Sequence, residues 1–96
     1  MCLEGWTFQE LPWLDPKNQA VKFVADRDGV RQICAISYTA LNDYFNTEDT
    51  NEAAFKNFVA NSEMVYLLAV RLVNNGTKNE NGIVFITSKI CQKYWP

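Results

Sequence analysis

Histidine does not occur anywhere in the 96 residues. Its absence removes the commonest general acid–base group, the Ser-His-Asp and Cys-His pairings, and the commonest metal ligand. Cysteine is scarce as well: Cys2, Cys34 and Cys91 show no C-x-x-C spacing and, being odd in number, do not form a disulfide framework. A zinc site could be completed only by distant carboxylates. Clustered basic charge is also missing. The nine cations are scattered with no two adjacent, net charge is −2 and the sequence pI is near 5.0, so the basic face that usually drives phosphate binding is not present. The same small net charge is too little for an acidic mimic of nucleic acid. The longest apolar run, from Met64 to Val73 with Arg71 inside it, is too short for a membrane span. The opening Met-Cys-Leu-Glu-Gly-Trp has neither the basic nor the apolar region of a secretory leader. A cytoplasmic location is therefore expected, and the sequon-like Asn75-Gly76-Thr77 is read as accidental.

What is abundant is core-forming material. Hydrophobic residues make up 48% and aromatics 14% of the chain, against 21% charged, which suffices for a folded domain and excludes disorder. The reading is one domain over residues 1–96: an aromatic N-terminal arm (1–19), a core (20–88) and a C-terminal tail (89–96). In the arm, Trp6 and Phe8 alternate with polar Thr7 and Gln9, and Pro16 marks a turn.

The clearest local signal is Asp28-Gly29 between "AVKFVA" (20–25) and "VRQICAIS" (30–37). Asp-Gly flanked by β-rich runs specifies a two-residue hairpin turn, because both positions need positive φ. That turn sets Arg27 opposite Val30, Phe23 opposite Cys34 and Val21 opposite Ile36. The pleat then gathers Val21, Phe23, Ala25, Cys34 and Ile36 on an apolar face, leaving Lys22, Val24, Asp26, Arg31, Ile33 and Ala35 on the other. Cys34 thus reads as a small buried hydrophobe, without an activating partner for nucleophilic work.

Helix signals begin at Ser37, a preferred N-cap, with Ala40, Leu41, Tyr44 and Phe45 at helical spacing. Thr50 is a second candidate cap. From Asn51 to Asn74 one long helix is expected, placing Phe55, Phe58, Val59, Ser62, Tyr66, Ala69, Leu72 and Val73 on one face. Asn75-Gly76 ends it. "IVFITS" (83–88) is a third β-rich run, and Ser88 is a candidate cap for a final turn, "KICQKYW". The fold class that follows is α+β: an antiparallel hairpin sheet with a returning third strand, packed against one short and one long helix.

Several of these features together resemble a family of short bacterial proteins known only as a domain of unknown function. They are Phe8 and Trp13 ahead of "VKF" (21–23), Ala25, the Asp-Gly turn, "CAIS" (34–37) with Leu41, Phe55 and Phe58, and the closing "GIVFITS", spanning roughly residues 8 to 88. The resemblance implies a fold and a bacterial source; it brings no reaction, cofactor or partner. Members commonly carry a charged residue in the middle of the long helix, where this chain reads "NSEMVYLL".

Three functions compete. An enzyme could use the carboxylate pairs Asp26/Asp28 or Glu48/Asp49, but these sit at a turn and a helix start, where acids are expected anyway. A weak nucleic-acid or small-ligand binding module could stack bases on Phe23 and Phe85, although both are expected to face the long helix. The favoured reading is a non-catalytic interaction module that binds a protein partner or itself. Helical projection leaves Lys56, Ala60, Met64, Leu67, Leu68 and Arg71 opposite the core face, so Met64, Leu67 and Leu68 need cover. The first helix (Tyr44, Phe45), the terminal "KYWP" through Trp95, or a second chain could each supply it. Met64, Leu67, Leu68 and Trp95 are therefore the candidate partner-binding residues. No catalytic residue, cofactor or metal ligand is assigned.

Overall fold

Asp28 (φ 50°) and Gly29 (φ 81°) both take positive φ, the geometry that joins two strands without splaying them. In the computed structural model, which describes residues 2–96 without the side chain of Cys2, strands β4 (Ala20–Arg27) and β5 (Val30–Ser37) form the antiparallel hairpin at the centre of the sheet. Phe23 lies opposite Cys34, Val21 opposite Ile36 and Arg27 opposite Val30, the register expected from the turn.

The N-terminal arm joins this sheet. Strands β1 (Cys2–Leu3), β2 (Trp6–Thr7) and β3 (Trp13–Asp15) precede the hairpin. Both β2 and β3 pair with β4, through Thr7 with Asp26 and Trp13 with Lys22. Alternation turns Trp6 and Phe8 inward, where both are buried in the core. A last strand, β6 (Val84–Ile86), runs parallel to β5 with Val84 beside Cys34. The sheet order is β1-β2-β4-β5-β6, with β3 also on β4.

Among the described residues there are four helices: α1 (Tyr38–Phe45), α2 (Asn51–Ala60), α3 (Ser62–Asn74) and α4 (Ser88–Tyr94). Ser37 caps α1 by accepting from the Ala40 amide at 3.0 Å, and Thr50 caps α2 through the Ala53 amide at the same distance. The cap of α4 is Thr87 rather than Ser88: the extended backbone belongs to Thr87, one residue earlier. Residues of all four helices bury against the face carrying Val21, Phe23, Cys34, Ile36, Val84 and Ile86. At its centre Phe8 stacks on Tyr66 with centroids 4.1 Å apart, and Phe23 meets Phe58 at 5.3 Å. Such pairs contribute about 0.5–1.5 kcal/mol each beyond area burial.

Two further expectations are corrected. The long helix is two helices, because the segment breaks at Asn61 (φ −126°, ψ 28°). Its side chain donates to the Asn57 carbonyl at 3.0 Å, sharing that acceptor with its own backbone amide at 3.1 Å, a local side-chain bond of the kind that bends helices. The second concerns Phe85. It shares a cross-strand row with Ala35, Lys22 and Trp13 and points away from the helices, while its neighbours Val84 and Ile86 point inward.

Asn42 is a buried polar residue at the α1–α2 junction, 2% exposed. Its amide donates to the Thr50 carbonyl at 3.0 Å and its oxygen accepts from Thr47 Oγ1 at 3.0 Å and Asn57 Nδ2 at 3.3 Å. Burial of an amide is tolerated because those bonds replace water. The far end of α3 is closed by the Thr77 amide on Leu72 and the Gly76 amide on Val73, both at 3.0 Å, with Gly76 at φ 72°. That is the paired reverse bonding favoured by a left-handed glycine after the last turn.

Candidate interaction surface

Helix α3 is buried on most of its circumference. Val65, Tyr66, Leu68, Ala69, Val70 and Leu72 are all inside. The exposed positions are Glu63, Leu67, Arg71 and Asn74, spaced four, four and three residues apart, so they form one stripe along the axis. The break at Asn61 resets the helical phase, and this separates the candidates. Leu67 is 51% exposed, Leu68 is 4% exposed and belongs to the core, and Met64 is intermediate. Conversely Val59, placed inward by a continuous helix, is 56% exposed near the end of α2.

Beside the stripe lies a groove of about 260 Å³ lined by Met64, Leu67, Leu68, Arg71, Tyr94, Trp95 and Pro96. Its far wall is held by α1. Trp95 lies 4.8 Å from Tyr44 and 6.2 Å from Phe45 between ring centroids, and the Tyr44 hydroxyl donates to the Pro96 carbonyl at 2.9 Å. The Arg71 guanidinium sits 4.7 Å from the Tyr94 ring centroid, within reach of a cation–π contact. So the cover sought for this face is shared: the core takes Leu68, the C-terminal segment walls the groove, and Leu67 stays open. Among the described residues, neither Glu63 nor Arg71 has an ion-pair partner.

A second apolar groove, of about 360 Å³, lies across the α2–α3 junction between Leu11, Pro12, Phe55, Val59, Ser62 and Tyr66. Leu11 is 86% exposed at its rim. Sequence reasoning passed over Leu11, and its position just before Pro12 in the arm was the one available signal.

The groups with chemical potential lie elsewhere and are quiet. Burial pushes the Cys34 thiol up to about 12 and the Cys91 thiol up to about 11, so both stay protonated at neutral pH and are poor nucleophiles. The Cys34 thiol faces the Gln32 carbonyl at 3.8 Å. Asp28 is exposed at the hairpin turn, and Glu48 and Asp49 are exposed ahead of α2. Asp15 is held below the usual carboxylate range by a hydrogen bond from Asn18 and then by Lys22, 3.1 Å away. Phe23 is buried under the helices, out of reach of any base.

Residues 7–86 match the model of the family described as protein of unknown function (DUF1488). The chain belongs to the DUF1488 family. A crystal structure of a DUF1488 protein of unknown function from Shewanella loihica PV-4 has the same fold, with a TM-score of 0.78 at 18% identity, over 90% of this chain and 96% of that one. No curated protein matches the chain. The stripe of α3 falls inside the segment matched by the DUF1488 model, whereas Tyr94, Trp95 and Pro96 lie beyond it. One wall of the groove, Met64, Leu67, Leu68 and Arg71, is thus built by matched residues and the other, Tyr94, Trp95 and Pro96, by the C-terminal segment. Among the described residues no helix is long and apolar enough to cross a membrane.

Proposed function

We propose that this chain is a non-catalytic interaction module whose contact surface is the exposed stripe of α3 with the adjoining groove. The observation that carries the reading is Leu67, a large apolar side chain half exposed on a helix whose other apolar residues are buried or, for Met64 and Val73, partly buried. Interfaces are built around such an apolar centre ringed by polar groups, and Glu63, Arg71 and Asn74 supply the ring. Met64 gives the groove an adaptable wall, and Trp95 an aromatic one already fixed by α1. The non-catalytic part of the reading is supported by protonated buried thiols, exposed carboxylates and a sequence without histidine. A cytoplasmic location is supported by Cys34 and Cys91 being free thiols.

Leu67→Glu tests the surface. The variant is expected to keep the parent's circular dichroism and melting temperature while losing whatever association the parent shows on size exclusion or cross-linking. Unfolding of the isolated variant would instead make Leu67 ordinary core and remove the interaction reading.

A further inference from the structure

Resting on that interaction reading, we infer that the occupant of the α3 surface is a second copy of this chain, docked antiparallel about a two-fold axis at Leu67. The argument is charge placement. Glu63 lies one turn before Leu67 and Arg71 one turn after it, each about 6 Å along the axis, and all three are exposed. A two-fold axis through Leu67 sets Glu63 of one copy beside Arg71 of the other, and repeats the pair on the opposite side. A two-fold contact has to be self-complementary, with each residue meeting its partner reciprocally. An acid and a base equidistant from an apolar centre satisfy that requirement, while a parallel pairing would set like charges together. Neither Glu63 nor Arg71 spends its charge on an ion pair among the described residues, and antiparallel α3 helices also oppose their dipoles. Leu67 of each copy then packs beside Leu67 of the other, with the grooves walled by Met64 and Trp95 flanking the contact. A contact one helix wide belongs at the small end of specific interfaces, roughly 1,200 Å² in total, so the dimer is weak and salt-sensitive.

Sedimentation velocity at low salt, from about 1 µM to about 1 mM chain, reads this directly. The expected result is a monomer–dimer equilibrium that weakens by about tenfold or more in Glu63→Arg alone and in Arg71→Glu alone, because each reversal faces like charges. Combining the two reversals restores association, since the exchanged charges again meet their opposites across the axis. Melting curves verify that each variant is folded, and Glu63→Gln, removing the charge without reversing it, gives an intermediate loss. A wild type that stays monomeric throughout overturns the dimer, as does a dimer indifferent to the reversals or unrepaired by their combination. The two levels separate cleanly. A monomeric wild type whose Leu67→Glu variant melts like the parent defeats the self-docking and leaves a different protein partner standing. Unfolding of Leu67→Glu defeats both.

Discussion

The β4–β5 hairpin and the α2–α3 segment are specified over different ranges. In the hairpin, two turn residues set eight pairings, and a side-chain period of two admits no drift, since a slip by one residue turns every side chain over. In α2–α3 the period of 3.6 carries a phase that any irregularity can reset. One asparagine does so: α3 begins after the Asn61 break in a phase that turns Leu68 inward, while Val59 stays exposed near the end of α2 and Leu67 keeps its exposed place. The strand region has its inward face fully consumed by the core. The helical region keeps an unspent stripe, and it is there that contact with another chain can be made.

The comparison can be pressed hardest inside α3 itself. Leu68→Glu places a carboxylate in the core, where an unpaired charge has no solvent, and the expected cost is more than about 4 kcal/mol. The isolated chain should be largely unfolded by circular dichroism at 25 °C. Next in size comes the joint that sets where α2 begins. Asn42→Leu removes one of the two donors on the Thr50 carbonyl, the Ala54 amide being the other, and removes the buried acceptor shared by Thr47 and Asn57, for about 2–3 kcal/mol. Urea denaturation should report that loss as a lower midpoint with an unchanged slope. An unaltered midpoint would mean the buried network is not what joins α1 to α2. Smaller again is the hairpin turn. Gly29 takes φ 81°, and no atom lies within 4 Å of where a Cβ would stand, so Gly29→Val is resisted by backbone strain alone, about 1–2 kcal/mol. Calorimetry showing no drop in melting temperature would mean that the turn does not govern the register.

How much was legible in the sequence follows the same division. Asp28-Gly29 made the hairpin, its register and the burial of Cys34 readable, because the instruction and its consequence are adjacent. Ser37 and Thr50 announced two helices for the same reason. The break was not legible: "NFVANSEMV" keeps apolar residues at helical steps on both sides, and the bond from Asn61 back to Asn57 is a property of the folded backbone. Phe85 was misplaced because "IVFI" is apolar at every position, so alternation gave no face until pairing with β5 set it. Asn42 carried no signal, as its three partners come from the turn and helix that follow. Of the candidate site, Leu67, Met64 and Trp95 were named from periodicity and composition, and the structure sets them around one groove. The stripe itself needed the true start of α3.

The most direct measurement is the melting temperature of Leu67→Glu, taken beside Leu68→Glu and the parent. If α3 is divided between core and contact surface as described, Leu67→Glu melts within about 4 °C of the parent, as a solvent-facing substitution should, while Leu68→Glu shows no cooperative transition. Equal damage from the two substitutions would place Leu67 in the core and contradict the account.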